Sequence, residues 1–311
     1  MYFTKKEKED VLSKNVVVCL LAFVCCALWG SAFPCVKIGY KMFDIAQSDA
    51  ADQIFFAGVR FAIAGIMVII FGSFCEKKLL IPKIKEMPRV AALSFFQTIM
   101  QYVLYYIGLA NTTGVKASII IGSNVFTAVL ISSLLFKLEK LTVSKAVGCV
   151  LGFAGIVIIN LGGKGFDLNF KLKGEGFLFF CTFAYAFSSV LMKKYSKDTD
   201  PVMLSGWQFL FGGIVMILLS LPAGGSISVK TAPSFIMLMY LAFISAAAYS
   251  LWAVLLKHNP VSKVAVYGFM NPVIGVILSS LLLNESASEF GFIAFAALAL
   301  VCLGIYIVNR K

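Results

Sequence analysis

The sequence has little charge. Only 14% of its 311 residues are charged and 60% are hydrophobic, whereas a soluble domain carries roughly 25% charged residues. A soluble fold of this length could not hide so much apolar surface from water. The composition therefore predicts a protein that is embedded in a lipid bilayer.

Residues that bind metals or perform catalysis are also scarce. The one histidine, His258, lies in a predicted loop, and none of the eight cysteines forms a Cys-x-x-Cys pair. No metal-site spacing and no phosphate-binding loop of the Walker type is present. We therefore expect no enzyme activity, no cofactor and no metal.

Ten apolar stretches follow one another along the chain. A helix needs about 20 apolar residues to cross the hydrocarbon core, and unpaired backbone groups in lipid favour helices throughout. The first stretch exceeds the apolar core of a signal peptide, about 7–15 residues, so it is predicted to be a retained helix. The stretches run roughly over 16–36, 54–74, 90–110, 117–136, 143–162, 174–192, 202–222, 234–256, 264–283 and 289–309.

The distribution of lysine and arginine predicts the orientation in the membrane. With the N-terminus in the cytoplasm, 19 of the 27 basic residues fall in cytoplasmic segments, seven fall on the opposite side, and Arg60 lies inside a span. Basic residues favour the cytoplasmic side. We predict a multi-pass protein of the cell membrane, plasma or inner, with both termini cytoplasmic. The net charge of +12 is assigned to this topology and not to nucleic-acid binding.

The two halves of the chain repeat. The second and seventh stretches match at an offset of 148 residues, and the fourth and ninth at an offset of 147. The matched pairs include Gly58–Gly206, Phe61–Phe209, Gly65–Gly213, Lys116–Lys263 and Asn124–Asn271.

Each repeat has five helices, an odd number, so the second copy enters the membrane in the opposite orientation, as in many secondary transporters. The predicted fold is therefore an all-α membrane protein of ten transmembrane helices, arranged as two inverted five-helix repeats. A cytoplasmic tail at 1–15, a first repeat at 16–163, a loop at 164–173 and a second repeat at 174–311 are expected.

Three short regions carry a family resemblance. They read Leu28-Trp29-Gly30-Ser31-Ala32-Phe33, then Leu138-Glu139-Lys140-Leu141-Thr142, then Asn271-Pro272-Val273 with Leu283-Asn284-Glu285. With their order duplicated, the sequence resembles the EamA family of the drug/metabolite transporter superfamily over nearly the whole chain. The resemblance implies ten helices, cytoplasmic termini, a central cavity and export of amino acids or other small metabolites. The first half departs from the pattern at Val125, where the second half has Pro272.

Polar and aromatic side chains within the spans are the candidates for a substrate cavity, because a polar group in lipid needs a partner. Such a lining suits a small, partly apolar, neutral or zwitterionic ligand. Interhelical hydrogen bonding and core packing are the alternative roles, and Tyr249 and Trp252 are expected near a cytoplasmic helix end. Tyr102 lies in the same apolar stretch as Gln101, and Ser189 lies in the same apolar stretch as Ser188. The candidates are Trp29, Phe33, Gln97, Gln101, Tyr105, Asn124, Tyr185, Ser188, Tyr249, Trp252, Tyr267 and Asn271.

Two further residues are assigned gating or structural roles. Arg60 lies about 6 residues, roughly 9 Å, from the outer end of its stretch. A structural role, with the side chain reaching toward the headgroups, is preferred, and an outer gate or a carboxylate anchor is the alternative. Pro272 removes a helical hydrogen bond, so it is predicted to bend the ninth stretch, as a gate or as a static kink.

Residues near the helix ends complete the assignments. No aspartate or glutamate lies deep in a predicted span, so a proton relay through a buried carboxylate is not expected. Glu139 and Glu285 are predicted to cap the helices that follow them, with proton coupling as their alternative role. Gly148, Gly152 and Gly155 are predicted to allow close helix packing, inside the bundle or at a dimer face.

The predicted function is a secondary active transporter that exports a small metabolite such as an amino acid by alternating access around a central cavity. A facilitative exchanger of another metabolite or of a drug-like cation is the alternative, and a membrane-embedded enzyme or ion channel is less favoured. The expected partners are the lipid bilayer and a small-molecule substrate. The sequence leaves open whether the protein is a monomer or a dimer.

Overall fold

The computed structural model describes residues 11–46, 48–112, 114–161, 170–282 and 291–310. The regular secondary structure of these residues is helical throughout. The α-helices are α1 (Asn15–Met42), α2 (Ala50–Glu76), α3 (Met87–Leu93), α4 (Gln101–Ala110), α5 (Gly114–Gly122), α6 (Asn124–Leu130), α7 (Val143–Leu161), α8 (Phe177–Tyr195), α9 (Pro201–Ser220), α10 (Ala232–His258), α11 (Val261–Ala265), α12 (Met270–Leu282) and α13 (Gly291–Asn309). Tighter 3-10 turns cover Ile84–Glu86, Leu221–Ala223 and Val266–Phe269, and wider π-helical turns cover Ser94–Met100, Ile131–Leu135 and Leu172–Gly176.

Six helical segments of the described residues are long and apolar enough to cross a membrane. They are Asn15–Met42, Ala50–Glu76, Ile84–Leu109, Leu172–Tyr195, Pro201–Ala223 and Ala232–His258. Shorter apolar helices cover Ile119–Leu135, Val143–Ile158 and Phe295–Asn309. The predicted all-helical membrane protein is thereby confirmed, although the predicted stretches 117–136 and 264–283 are not single unbroken α-helices.

The outer surface of the bundle is apolar. Phe71 and Phe74 on α2, Val143 on α7 and Phe295 on α13 are all exposed. Large exposed apolar surface is rare on soluble proteins. In a bilayer the same side chains contact lipid tails, so their exposure carries no cost there.

Glycines bring two pairs of helices into close contact. A Cβ atom at Gly213 of α9 would lie 2.6 Å from the carbonyl oxygen of Gly58 on α2. A Cβ atom at Gly148 of α7 would lie 2.7 Å from the carbonyl oxygen of Gly304 on α13, and one at Gly155 would lie 2.8 Å from a backbone oxygen of the same helix. The predicted packing role of Gly148 and Gly155 is confirmed, and the contact lies inside the chain's own bundle.

The helix contacts connect the first half of the chain with the second. Helix α2 packs on α9, and α7 packs on α13. Helix α1 packs against α10 and α12, while α8 packs against α4 and α6. Helices α6, α8, α10 and the end of α11 surround one interior region.

One end of the bundle, called here the terminal end, consists of residues 12–13, 136–145 and 259–263. The side-chain amide of Asn259 donates to the carbonyl oxygen of Leu12 at 2.9 Å, and the ammonium group of Lys263 donates to that of Ser13 at 2.9 Å. These bonds fix the start of the chain against the link between α10 and α11.

Candidate substrate-binding site

A narrow crevice lies in the interior region, with about 10 Å³ of space for a water-sized molecule. Asn124 from α6, Tyr185 and Ser189 from α8, and Trp252 from α10 provide its polar and aromatic wall. Leu256 and the small residues Ala128, Ala265 and Gly268 provide the rest. Small side chains leave the space open, and the few polar groups are the kind that orient a ligand in an otherwise apolar pocket.

The helices are interrupted on both sides of this crevice. Ser123 forms a turn between α5 and α6, and Val266–Phe269 form a 3-10 turn between α11 and α12. Asn124 is therefore the first residue of α6, and Asn271 is the second residue of α12. Interrupted helices expose backbone polar groups, and transporters place such interruptions at their substrate sites.

Pro272 accounts for one of these interruptions. It has no N–H group, and its ring crowds the carbonyl group four residues earlier, at Gly268. The 3-10 turn ends at Phe269, directly before α12. The irregular geometry agrees with the bend predicted from the sequence, and the use of this bend as a gate stays a prediction.

Aromatic rings continue from the crevice toward α2. The ring of Trp29 lies 5.0 Å from those of Trp252 and Tyr249, in edge-on geometry with both. The Tyr249 hydroxyl group forms a hydrogen bond of 2.9 Å with that of Tyr102, and Phe209 packs 4.9 Å from the Tyr249 ring. The sequence placed Tyr249 and Trp252 near a helix end. Their contacts with Trp29, halfway along α1, place them in the interior instead.

Arg60 lies at the far side of these rings. Helix α2 begins at Ala50, so Arg60 is ten residues, roughly 15 Å, inside the helix, deeper than the sequence predicted. The residue is 5% exposed. Its guanidinium carbon lies 4.5 Å from the centre of the Phe61 ring and 5.8 Å from that of Tyr102. The side chain therefore points into protein, and the predicted reach toward the headgroups is wrong.

Several candidate side chains have a buried polar atom without a hydrogen-bond partner. These atoms are the Trp29 indole nitrogen, the side-chain oxygens of Gln97, Gln101 and Asn271, and the Nε atom of Arg60. An unpaired buried polar group costs about 1–3 kcal/mol. Such atoms in the interior of a transporter are suited to a ligand or to water.

Other candidates have their polar groups engaged or lie to one side. The Ser188 hydroxyl group donates to the Tyr185 carbonyl oxygen at 2.7 Å, and Ser188 does not line the crevice, unlike its neighbour Ser189. The Tyr105 ring packs 5.3 Å from the Tyr106 ring. Tyr267 is 4% exposed and lies in the main apolar core. The side chain of Phe33 lies outside the described residues, as does Glu285.

The structure adds four aromatic residues that the sequence did not single out. Tyr40, Phe61, Tyr106 and Phe209 belong to the rings near Arg60. The repeat contained a signal for two of them, because Phe61 and Phe209 are matched across the halves, and their rings stack at 5.2 Å. Tyr40 and Tyr106 come together only through helix packing.

Glu139 does not cap the helix that follows it, which corrects the sequence prediction. Its carboxylate accepts hydrogen bonds from the Ser132 hydroxyl group at 2.7 Å, the Lys145 ammonium group at 2.7 Å and the Ser262 backbone N–H at 3.0 Å. The Ser262 hydroxyl group also donates to it. The start of α7 is instead capped by Thr142, whose hydroxyl oxygen accepts from the Lys145 N–H at 3.3 Å.

These contacts determine the charge of Glu139. Burial acts to raise its pKa, but the hydrogen bonds from Lys145, Ser262 and Ser132 outweigh burial and lower the pKa below the ordinary value of 4.5. The carboxylate is therefore ionised at neutral pH. A proton carrier has to exchange its proton near the working pH, so Glu139 is poorly suited to proton coupling.

Comparison with known proteins points to membrane transporters. The model of the EamA-like transporter family matches residues 16–161 and 172–310. The uncharacterized transporter YvbV of Bacillus subtilis is 27% identical over 303 residues, which cover 96% of this chain and 93% of YvbV. The uncharacterized inner membrane transporter YedA of Escherichia coli K12 is 26% identical over 294 residues, which cover 91% and 90% of the two chains.

Two further matches differ in what they cover. A chloroplastic WAT1-related protein of Arabidopsis thaliana is 30% identical over 211 residues, which are 65% of this chain and only 50% of that protein. A solved crystal structure superposes with a TM-score of 0.75 over 95% of this chain and 97% of its own, at 16% identity. At that identity the likeness establishes the fold alone.

Proposed function

Because the chain belongs to the EamA-like transporter family, we propose that this multi-pass membrane transporter exports a small metabolite such as an amino acid by alternating access around the crevice. The observation that carries the proposal is the pair of interrupted helices. Asn124 and Gly268 belong to opposite halves of the chain and face the same empty space. A site shared by two halves can be opened from either side when the halves rock against each other.

We also propose ten transmembrane helices in two inverted repeats, 16–163 and 174–311, with cytoplasmic termini and a location in the cell membrane. The family model matches twice, once in each half. The helix contacts support the arrangement as well, because they are preserved when the halves are exchanged: α1 with α12 corresponds to α8 with α6. An exchange of halves requires this correspondence.

The crevice favours ligands with an apolar part. Rings of Trp252 and Tyr185 offer flat apolar surface, and the Asn124 amide can donate and accept hydrogen bonds. The Ser189 hydroxyl group donates to the Tyr185 carbonyl oxygen at 3.0 Å, so its oxygen can still accept from a ligand. In this conformation the crevice has about 10 Å³ of space for a water-sized molecule, about enough for one water, so ligand binding requires the surrounding helices to move apart. Small neutral or aromatic amino acids combine an apolar part with a polar end.

Counterflow into liposomes tests the proposal. Purified protein is reconstituted into vesicles preloaded with unlabelled phenylalanine or alanine, and uptake of the labelled compound is compared with that of protein-free vesicles. A cationic dye and a sugar phosphate serve as ligands of other classes. We expect saturable uptake of an amino acid that depends on the protein. Uptake of the dye or the sugar phosphate alone would contradict the proposed substrate.

A matched pair of variants assigns the uptake to the crevice. Asn124→Ala removes an amide that faces the empty space, and a lost hydrogen bond of about 0.5–1.5 kcal/mol should raise the apparent KM roughly two- to tenfold. Asn111→Ala is the control, since Asn111 is exposed and its side chain donates to its own helix at Ile107. Equal effects of the two changes would exclude a role of Asn124 in binding.

A further inference from the structure

We propose that Arg60 binds an anionic group of the transported ligand, and that this ligand carries one carboxylate or an equivalent single negative charge. The inference rests on the proposed transport function and adds to it a binding group and a ligand class. The sequence alone favoured a structural role for Arg60.

Arg60 carries a buried charge without a counter-ion. It is 5% exposed and is the sole basic residue among the buried residues that the structure describes. No carboxylate of the described part of the chain pairs with it, and its Nε atom has no hydrogen-bond partner. Buried charges in proteins are normally paired, because removal from water is costly. An intramembrane charge is therefore expected to have a functional partner.

The groups around Arg60 are neutral and offer hydrogens. Phe61 and Tyr102 stack near the guanidinium group, and cation–π contacts of this kind offset part of the desolvation cost. The phenol groups of Tyr106, Tyr40 and Tyr249 also lie close enough to act on its charge. Neutral rings stabilise a cation less than a carboxylate does, so the site retains a preference for an anion.

Two of these phenols have hydrogens to donate. The Tyr40 hydroxyl group forms no hydrogen bond of normal length, and the Tyr106 hydroxyl group is its polar neighbour. Tyr102 and Tyr249 share one hydrogen bond of 2.9 Å. That bond uses the hydrogen of one hydroxyl group, so the hydrogen of the other can be donated to a ligand. A carboxylate accepts hydrogen bonds in several directions and pairs with a guanidinium group in bidentate geometry.

The site near Arg60 is continuous with the crevice. The Tyr102 ring lies 5.8 Å from the guanidinium carbon of Arg60, and its hydroxyl group is hydrogen-bonded to that of Tyr249. The Tyr249 ring contacts Trp29, and Trp29 contacts Trp252 in the crevice wall, both at 5.0 Å between ring centres. An apolar ligand group on these rings would thus direct a polar end toward Arg60. The positive charge of Arg60 opposes cationic ligands. A doubly charged phosphate would leave one charge unpaired.

Ligand binding to the purified protein tests the inference independently of transport. Trp29 and Trp252 report binding through their fluorescence. The probes are phenylalanine and 3-phenylpropionate, each compared with its carboxamide, which keeps the shape and removes the negative charge. A charge-assisted hydrogen bond predicts that each acid binds about tenfold or more tightly than its amide. Equal binding of acid and amide by the unchanged protein would overturn the proposal.

Three variants distinguish a binding role of Arg60 from a structural one. Arg60→Gln should reduce the preference for the acid to about onefold, whereas Arg60→Lys should retain part of it. Arg89→Gln is the control, because Arg89 pairs with Asp198 and Thr199 and not with the rings near Arg60, and it should keep the full preference. A structural role would weaken acid and amide equally and leave their ratio unchanged, which would contradict the proposal.

A fourth variant covers the case in which Arg60→Gln does not fold. Tyr40→Phe removes a hydroxyl group that forms no hydrogen bond of normal length in the protein, so folding should be retained while the acid preference falls several-fold. The proposal would be overturned if Tyr40→Phe kept its full preference for the acid and if Arg60→Lys folded and kept its full preference as well. Acid-selective binding without counterflow would support the anion site and contradict the transport proposal. Counterflow without acid selectivity would support the transport proposal and contradict the anion site.

Discussion

Glu139 links the two halves of the chain at the terminal end. Its carboxylate is bound by Ser132 and Lys145 from the first half and by the backbone and hydroxyl groups of Ser262 from the second. The side chains of Glu139 and Lys145 are only 8% and 15% exposed. If the halves separate at this end during transport, these bonds to Ser262 must break. Loss of Glu139 should therefore favour the conformation that is open at the terminal end.

The size of the effect follows from the burial of the pair. Removing one partner of a buried ion pair costs about 3–5 kcal/mol. The site lies at a water-facing end, and Lys145 retains a second acceptor, the Lys140 carbonyl oxygen at 2.7 Å. We therefore expect about 2–3 kcal/mol for Glu139→Ala, which changes the ratio of open to closed conformations roughly 30- to 150-fold. Glu139→Gln keeps the hydrogen bonds in part and should give a smaller shift.

Hydrogen exchange in lipid nanodiscs measures this shift. Amides of residues 259–265 should exchange faster in Glu139→Ala by a factor similar to the change in opening. Glu86→Ala is the matched control, because Glu86 accepts from the Lys83 N–H at 2.7 Å within its own loop and makes no bridge to the other half. Unchanged exchange at 259–265 in Glu139→Ala would refute the reasoning.

The pH dependence provides a second measurement on the same residue. The hydrogen bonds to Glu139 lower its pKa below 4.5 in the folded protein. A lowered pKa contributes stability that is complete above about pH 4.5 and is lost as the pH falls through the folded-state pKa. The thermal midpoint of the unchanged protein should therefore fall in this acidic range more steeply than that of Glu139→Gln. Parallel curves would contradict the assignment.

Three further changes test the interior. Ser189→Ala should raise the apparent KM about two- to tenfold, whereas Ser188→Ala should not, since only Ser189 lines the crevice; equal KM values would contradict this. Pro272→Ala should add about 1 kcal/mol to the free energy of unfolding and so raise the thermal midpoint, because the helix can then continue through the 3-10 turn. The same change should slow counterflow, and an unchanged rate would exclude gating at this position. Gly213→Val should destabilise the fold by about 1–3 kcal/mol or more, because the added Cβ meets backbone at 2.6 Å. Gly39→Ala, with its nearest atom at 3.4 Å, should be tolerated in the same melting experiment.

Apolar runs predicted most helices because lipid imposes one rule on every span. The helix interruptions followed from no such rule. No proline lies near the turn at Ser123, and Gly122, the last residue of α5, is only a weak local signal of a helix end. Pro272 did signal an irregularity, since its effect on the preceding turn is local chemistry. Local chemistry can be predicted from a sequence, and packing between distant helices cannot.

The depth of Arg60 was underestimated for a related reason. Hydropathy placed the start of its span at residue 54, but the helix begins at Ala50, where the Asp49 side chain accepts from the Asp52 N–H at 3.0 Å. Polar residues of the first turn are helical without being apolar, so hydropathy alone omits them. Arg60 therefore lies ten residues from the start of its helix and not six, and its side chain, which was expected near the headgroups, lies among aromatic rings.

Glu139 shows the other limit of local reasoning. A carboxylate just before a helix normally suggests a cap for that helix. Its bonds to Ser262 span 123 positions in the chain, and no local pattern reveals them. The repeat was the one feature of the sequence that indicated long-range order. Two of the residues that it matched, Phe61 and Phe209, have rings that stack in the structure.

The two proposed halves differ in the chemistry that they offer a ligand. At the position matched to Arg60, the second half has Gln208, which is fully buried, with its side-chain oxygen bound by the Thr98 hydroxyl group at 2.6 Å. An amide N–H can also donate to a carboxylate, but the bond is weaker than that of a guanidinium group because the amide carries no charge. A ligand held by Arg60 would therefore keep one orientation while the walls on either side exchange conformations. The two open states would then bind the same ligand end through the same residue, and the direction of net flux would follow the ligand gradient and any coupled ion.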